Sequence, residues 1–263
     1  FGRKRLSVIA KYKNKFQLVT KGAPEGIFSA CTEVLGRREK LSFTGHTRDK
    51  IIRRFKFLSM EGYRVLAVAF KQVEEKKSYS AKDEENLVFV GFMIFADPPK
   101  PSVVQAVHLL ANLGVDLKVL TGDSDLVTKK ICEEVGLSVQ GVVLGSQLDS
   151  LNDEMVEKLI PKTTIFARLA PEQKERIIRL AKSAGRVVGF LGDGINDATS
   201  LYASDVGLSV NNAVDVAKES ADLILLHKDL HVLKDGVVEG RKTYANIIKY
   251  MMMVTSSSFG NMA

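Results

Sequence analysis

Two short stretches of the sequence carry residue types that bind phosphate or a divalent cation. Thr121-Gly122-Asp123 offers a hydroxyl and main-chain N–H groups where a predicted helix begins, which suits a phosphate. Gly192–Asp197 places the carboxylates of Asp193 and Asp197 around glycine and an amide, and Mg²⁺ prefers such oxygen ligands. A turn that caps a helix is the simpler interpretation of each stretch taken alone.

A lysine completes the pattern. Lys174 lies in the first turn of a further predicted helix, where a cation opposes the helix dipole and so indicates a nearby anion, although a solvated lysine is the alternative. Taken together, the residues predict a phosphoryl-transfer site. Thr121 would hydrogen-bond the phosphoryl oxygens, Lys174 would offset their charge, and Asp193 would hold Mg²⁺.

The elements that position these residues alternate along the chain after residue 100. Apolar strands are predicted at Val115–Leu120, Val142–Leu144, Thr164–Leu169, Val187–Leu191, Val206–Val210 and Leu223–Leu226. Amphipathic helices are predicted at about 101–113, 124–136, 153–160, 171–184, 197–203 and 213–220. This order predicts a doubly wound α/β fold with a parallel sheet, whose ligands lie at the carboxyl ends of the strands.

The first part of the chain has a different pattern, typical of an α+β domain. Strands are predicted at Leu6–Ala10, Phe16–Thr20, Arg64–Phe70 and Leu87–Phe92, the first two as a hairpin. Helices are predicted from Pro24 to about Cys31 and over 47–61, and residues 74–85 are predicted to be a solvated charged loop. The prolines of Asp97-Pro98-Pro99-Lys100-Pro101 disrupt regular structure and predict a domain boundary.

Composition and charge exclude several classes of protein. Hydrophobic residues make up 45% of the 263 and charged residues 26%, which excludes a disordered chain. Two cysteines are too few for a disulfide framework and favour a reducing compartment. Residues 1–100 carry a net charge of +10, whereas the remainder carries −3. The basic residues are scattered without a nucleic-acid-binding pattern, so we expect a polyanionic nucleotide as partner and no nucleic acid.

The end of the sequence has the character of a long helix followed by an uncharged tail. Residues 229 to about 250 have an apolar face at helical spacing, and Tyr250–Ala263 contains no charged residue. About 14 residues are too few for a bilayer, which needs about 20. The tail is therefore interpreted as a core helix or as the beginning of a membrane span.

These motifs as a set resemble the cytoplasmic catalytic part of a P-type cation-transporting ATPase, whose phosphorylation domain is haloacid-dehalogenase-like. The motifs are Lys21-Gly22-Ala23-Pro24-Glu25, Asp97-Pro98-Pro99, Thr121-Gly122-Asp123 and Gly192–Asp197. The bacterial magnesium-transporting subgroup is the most similar, on Phe95–Lys100, Phe166–Leu169, Ala213–Leu226, Ala245–Tyr250 and Ser257–Asn261. The resemblance implies a nucleotide-binding domain over 1–94, a phosphorylation domain over 95–240 and a stalk entering a transmembrane helix over 241–263, with both domains incomplete.

The resemblance also implies a role for particular residues. Lys21 and Gly22 are implied to line an adenine pocket, with Phe1 as a stacking ring and Arg3 nearby. Arg64 and Arg168 are implied to reach the ATP phosphates. Thr121, Gly122 and Asp123 are implied to face the transferred phosphoryl group, with Lys174 neutralising it. Asp193 is implied to bind Mg²⁺, with Asn196 and Asp197 completing that site.

The implied activity is ATP hydrolysis coupled to cation transport, with Mg²⁺ as the cation of the most similar subgroup. The implied cofactors are ATP and Mg²⁺. The implied partners are other parts of the same polypeptide, namely an actuator domain, the phosphorylated aspartate and transmembrane helices. The expected location is a bacterial plasma membrane, with this portion in the cytoplasm.

The sequence departs from the family pattern at two points. The phosphorylation motif Asp-Lys-Thr-Gly-Thr does not occur in the 263 residues, so this chain is not expected to form an aspartyl phosphate by itself, and its sheet is expected to lack a strand. Thr199 stands where the family usually has proline, which alters a helix start but removes no ligand.

Two other functions fit parts of the pattern. A soluble haloacid-dehalogenase-like phosphatase would need an Asp-x-Asp nucleophile on an early strand, and the sequence has none there. A non-catalytic nucleotide-binding module is consistent with the missing aspartate.

Overall fold

The computed structural model describes residues 5–12, 15–37, 39–76, 78–96, 98–227 and 229–260. The chain divides into two compact units, Phe1–Pro98 and Pro99–Ala263. The division falls inside the proline-rich stretch, where proline fixes φ and removes a hydrogen-bond donor. Each unit has its own sheets and its own core.

The first unit is built on one sheet. Its strands are β1 (Arg5–Tyr12), β2 (Lys15–Gly22), β3 (Cys31–Leu35), β4 (Lys40–Ser42), β5 (Arg64–Val73) and β6 (Leu87–Phe95). They lie in the order β1-β2-β5-β6-β3-β4, antiparallel except for the parallel pair of β3 and β6. The predicted hairpin and the two later strands are confirmed. β3 and β4 were not predicted, because β3 is short and β4 is exposed throughout, so neither shows an alternating apolar pattern.

Two helices, α1 (Pro24–Phe28) and α2 (Gly45–Met60), pack against β5. Both predicted helices are confirmed, but the first ends earlier than expected because β3 begins at Cys31. Alternate residues of β5, including Ala67 and Ala69, are fully buried, since side chains of a strand point to opposite faces in turn. A cluster of phenylalanine rings with centroid distances between 5.2 and 6.3 Å fills the space between these helices and the sheet.

The charged segment before β6 is not wholly solvated, which corrects the sequence prediction for residues 74–85. Glu84 is only 4% exposed, and it accepts hydrogen bonds from Arg5 Nε and Ser7 Oγ, both at 2.8 Å. Ser7 also hydrogen-bonds Thr20 at 2.9 Å. A buried carboxylate needs such partners, so Glu84 anchors this segment to β1. Sequence periodicity gives no sign of an ion pair across 79 residues.

The second unit contains parallel strands only, among the residues that the structure describes. The strands are β7 (Val119–Leu120), β8 (Val142–Leu144), β9 (Ile165–Ala167), β10 (Gly189–Leu191), β11 (Val206–Val210) and β12 (Leu223–Leu225). All six predicted strands are present, and their parallel pairing is confirmed. They form two three-stranded sheets, β7-β9-β8 and β10-β11-β12, instead of one continuous sheet.

Helices alternate with these strands as predicted. They are α3 (Pro101–Asn112), α4 (Asp125–Glu134), α5 (Gly145–Leu148), α6 (Asp153–Leu159), α7 (Pro171–Ser183), α8 (Ala198–Ala203), α9 (Asp215–Glu219) and α10 (His231–Gly260). The short α5 was not predicted. Gly136 (φ 74°) and Gly185 (φ 77°) lie just after the ends of α4 and α7, where the left-handed backbone favours glycine.

The last helix continues further than expected, because the uncharged tail extends α10 to Gly260. Within the described residues, no helix combines the length and the apolar character that crossing a membrane requires.

The core of the second unit centres on β9, whose residues Ile165, Phe166 and Ala167 are all fully buried. A strand that is the middle one of a parallel sheet is covered on both faces, which explains its uninterrupted apolar sequence. Because β9 is fixed in the core, the two residues that follow it, Arg168 and Leu169, are fixed in position as well.

A glycine next to this exit has no room for a side chain. A Cβ on Gly145 would lie 2.6 Å from both Arg168 O and Gln173 Oε1. Gly145→Ala should therefore lower the free energy of unfolding by about 1–3 kcal/mol through overpacking, as measured by urea unfolding.

Gly236 in α10 provides the matched control. A Cβ there has no atom within 4 Å, so Gly236→Ala should leave stability unchanged or raise it by about 0.5–1 kcal/mol through helix propensity. Equal effects of the two substitutions would contradict the packing argument.

Candidate functional site

Lys21 and Arg64 lie on the same face of the first unit's sheet. Lys21 of β2 pairs with Val68 of β5. Arg64 is four residues from Val68 along β5, and residues an even number apart share a face. Both cations are exposed. The four steps along β5 from Val68, the partner of Lys21, to Arg64 correspond to about 13 Å. Gly22 pairs with Ala67 on the buried side and brings only its backbone to the site.

The two cations have apolar neighbours on this face. Leu6 pairs with Lys21 across β1 and β2, and Phe95 pairs with Arg64 across β5 and β6. Residues directly opposite in a ladder lie on one face, and both apolar side chains are exposed. This face can therefore bind a ligand that carries both a flat apolar ring and an anionic group. Two of the residues predicted to contact ATP, Phe1 and Arg3, lie outside the described residues, as does Asp97 of the boundary motif.

In the second unit, the chain leaving β9 hydrogen-bonds the Thr121–Gly122–Asp123 turn. Leu169 N donates to Thr121 O at 2.9 Å, and Arg168 N donates to Asp123 O at 3.0 Å. The Thr121 hydroxyl accepts a hydrogen bond from Asp123 N at 3.0 Å. The structure thus brings four predicted site residues, Thr121, Gly122, Asp123 and Arg168, to one edge of the β7-β9-β8 sheet.

Arg168 has an unusual backbone for its residue type. Its φ of 55° lies in the left-handed region, which costs a residue with a Cβ about 1–2 kcal/mol. Its Nε donates to Asp125 Oδ1 at 3.1 Å, at the first residue of α4. Sequence analysis did not select Asp125, although an acidic residue in the first turn of a helix is a recognisable stabilising feature.

Lys174 forms an ion pair with Asp197. Lys174 Nζ lies 2.8 Å from Asp197 Oδ1, and the two side chains are only 12% and 14% exposed. The anion that the helix-dipole argument predicted near Lys174 is therefore present, and it belongs to the chain itself. Asp197 Oδ2 also accepts a hydrogen bond from Gly194 N at 3.2 Å, so both of its oxygens have partners.

Asp193 differs from Asp197 in its environment. Its side chain is exposed and has no hydrogen bond or ion pair within the part of the chain that the structure describes. Its carbonyl oxygen accepts a hydrogen bond from Val214 N at 3.2 Å, and the buried Ser209 hydroxyl donates to Gly192 O at 2.9 Å. The loop is thus held by its backbone while the Asp193 carboxylate remains available to a ligand.

The predicted magnesium ligands do not form a preassembled three-residue cluster. No group of three His, Cys, Asp or Glu side chains suited to a metal occurs among the described residues. Asn196 is exposed in the same loop as Asp193. Exposed carboxylate and amide oxygens fit Mg²⁺, which binds one or two carboxylates and keeps waters or phosphate oxygens as its other ligands.

The cysteines are unsuited to nucleophilic chemistry. Cys31 and Cys132 are free and buried. Burial raises the pKa of the Cys31 thiol to about 12 and also raises the pKa of Cys132. The thiolate is the reactive form of cysteine, so neither Cys31 nor Cys132 is suited to act as a nucleophile.

Removing the carboxylate of Asp197 should destabilise the chain, because it leaves the ammonium group of Lys174 largely buried without its partner. We expect Asp197→Ala to lower the free energy of unfolding by about 3 kcal/mol, measured by urea unfolding.

The control is an ion pair that is well exposed. Glu239 and Lys242 of α10 are 69% and 63% exposed, so Glu239→Ala should change stability by about 0.5 kcal/mol or less. If Asp197→Ala lowers the free energy of unfolding no more than Glu239→Ala does, burial adds nothing to the stability that the Lys174–Asp197 pair provides.

Comparison with known proteins shows which proteins this chain is similar to. Residues 2–102 match the family model described as P-type ATPase, cytoplasmic domain N. The chain is 46% identical over 263 residues to "Magnesium-transporting ATPase, P-type 1" of Escherichia coli K12, covering 99% of this chain and 29% of that protein. It is 31% identical over 261 residues to "Calcium-transporting ATPase 1" of Bacillus cereus, covering 98% of this chain and 29% of that protein.

A Salmonella typhimurium protein named "Magnesium-transporting ATPase, P-type 1" is 41% identical over 267 residues, again with 29% of its length covered. The chain thus spans less than a third of the length of these relatives. Nearly all of it aligns with them, and its first 100 or so residues match the domain N model. The chain is therefore similar to P-type ATPases over nearly its whole length, and its residues 2–102 match their cytoplasmic domain N.

Proposed function

We propose that this chain is the ATP-binding and phosphorylation-domain portion of a P-type ATPase that couples ATP hydrolysis to the transport of a cation, namely Mg²⁺. The observation that carries the proposal is the placement of Lys21 and Arg64 on one exposed sheet face. That face lies within the residues that match domain N. The adenine ring would lie near Lys21 and Gly22, with Phe1 and Arg3, and Arg64 and Arg168 would contact the phosphates.

The second unit would supply the phosphorylation chemistry as a haloacid-dehalogenase-like domain. Its parallel pairing and its polar residues after β7 and β10 support this assignment. Thr121 would donate its hydroxyl to a phosphoryl oxygen, with Gly122 and Asp123 beside it, and Lys174 would offset the phosphoryl charge. The domain limits implied by the resemblance, 1–94, 95–240 and 241–263, belong to the same proposal.

Asp193 would hold Mg²⁺, with Asn196 as a neighbouring donor. Bound Mg²⁺ would neutralise charge on the phosphate oxygens. Asp197, although implied as a ligand by the resemblance, has both carboxylate oxygens engaged by Lys174 and Gly194. In this proposal it keeps the Lys174 ammonium group directed at the site.

The rest of the polypeptide would complete the pump. The 263 residues lack the Asp-Lys-Thr-Gly-Thr motif, so the phosphorylated aspartate, the actuator domain and the transmembrane helices would come from other parts of the same protein. We place the whole protein in a bacterial plasma membrane and this portion on its cytoplasmic side.

Nucleotide binding tests the first part of the proposal. The chain should bind MgATP, and Lys21→Ala should raise the Kd at least about 10-fold, because a charge-assisted hydrogen bond contributes about 1.5–3 kcal/mol. Isothermal titration calorimetry measures both values.

Lys50→Ala is the matched control, because Lys50 is an exposed lysine of α2 on another part of the same unit. It should leave the Kd within about twofold of the original value, well below the effect of one charge-assisted bond. Absence of MgATP binding, or equal Kd values for the two variants, would contradict the proposed nucleotide site.

The missing motif gives a second expectation. Incubation of the chain with γ-³²P-labelled MgATP should give no acid-stable labelled protein, because the nucleophilic aspartate is not among its 263 residues. Acid-stable label on the chain, counted after acid precipitation and electrophoresis, would show that another residue is phosphorylated.

A further inference from the structure

Asp125 lies beside the turn proposed to bind phosphate, and the proposed function gives it no role. It is the first residue of α4, directly after the turn proposed to bind phosphate. A carboxylate at a helix N-terminus stabilises the helix, but it also repels an anion that approaches the same terminus. Beside a turn proposed to bind phosphate, the Asp125 carboxylate therefore needs a contact that offsets this repulsion.

The compensating contact is with Arg168. The guanidinium Nε donates to Asp125 Oδ1 at 3.1 Å, and the two side chains are 36% and 29% exposed. The main chain of Arg168 is tied to the same turn, since its N–H donates to Asp123 O at 3.0 Å. Both ends of the arginine are thus fixed beside Thr121–Asp123.

The backbone of Arg168 is determined by its surroundings. Its φ of 55° would suit glycine better, and its carbonyl oxygen lies so close to Gly145 that a Cβ there would approach within 2.6 Å. Backbone strain of this kind persists where packing over-determines a position, and it is concentrated at functional sites. An arginine is present although glycine would relieve the strain, which indicates that the guanidinium group is needed there.

We infer that Asp125 is a positioning residue that holds the Arg168 guanidinium at the Thr121–Asp123 turn, ready to bind a phosphate group. The inference rests on the proposed function, which assigns phosphate to this turn. A flexible arginine loses rotamer freedom when it binds an anion, whereas one already held by a carboxylate loses less. Asp125 acts through Arg168 and does not touch the phosphate.

The test compares two variants that remove the same charge. Asp125→Asn keeps a carbonyl oxygen that can accept from Arg168 Nε, whereas Asp125→Ala removes the acceptor. The probe is inorganic triphosphate, titrated into the 263-residue chain while the Arg168 Nε–Hε resonance is followed by NMR. Asp125→Ala should bind triphosphate with a Kd about 2- to 10-fold higher than that of Asp125→Asn, from the ordering of one side chain.

A double-mutant comparison separates positioning from a general structural effect. In an Arg168→Ala background, followed through main-chain amide resonances, the difference between the Asn and Ala variants should disappear, because the two residues act as a pair. If Asp125→Ala is poorly folded by thermal unfolding, Asp125→Ser replaces it, since a serine hydroxyl is too short to hold the guanidinium.

Three results would overturn the inference: no shift of the Arg168 resonance with triphosphate, equal Kd values for the Asn and Ala variants, or a difference that persists without Arg168. These results are distinguishable from failure of the proposed function. A chain that binds MgATP through Lys21 and shows either of the last two results retains its nucleotide site and loses only the role of Asp125. An unshifted Arg168 resonance would also remove the phosphate contact proposed for Arg168, while MgATP binding that depends on Lys21 would still support the nucleotide site of the first unit.

Discussion

The ion pair between Lys174 and Asp197 is the contact on which the arrangement of the second unit's polar residues depends. Lys174 belongs to α7, which follows β9, whereas Asp197 follows β10 in the other three-stranded sheet. The described strands of the two sheets do not pair with each other, so helix packing and side-chain contacts connect them. With both side chains more than four-fifths buried, the pair is held firmly, because separating it would leave a charge without solvent or partner.

The same principle applies to Arg168, a second predicted site residue of that unit. Arg168 is bound to Asp125 as Lys174 is bound to Asp197, so both of these cations already have a carboxylate partner. A paired cation is preorganised, which lowers the entropy lost when a phosphate binds. Lys21 in the first unit is different, because it stands exposed on an open sheet face. An exposed cation attracts a polyanion from solution but does not orient it strongly.

Sequence reasoning predicted the elements of the second unit well, because short apolar strands and amphipathic helices have distinct periods. It could not predict that the strands separate into two sheets, since pairing depends on which strands are neighbours in space. It also missed the burial of Glu84 and the pairing of Asp125 with Arg168, which join residues 79 and 43 positions apart. An acidic residue in a charged segment or at a helix start looks solvated unless its distant partner is known.

The loop Gly192–Asp197 illustrates what the structure adds to a correctly recognised motif. In the sequence, Asp193 and Asp197 are equivalent oxygen donors four residues apart. In the fold, Asp197 begins a helix that packs on α7 and turns inward to Lys174, whereas Asp193 lies in an exposed turn whose backbone is held from β11 and from Val214. Environment, and not residue type, decides what each carboxylate can do. An inward carboxylate that already neutralises a lysine is poorly placed to give up that lysine for a metal, so the different roles proposed for the two aspartates follow from their burial.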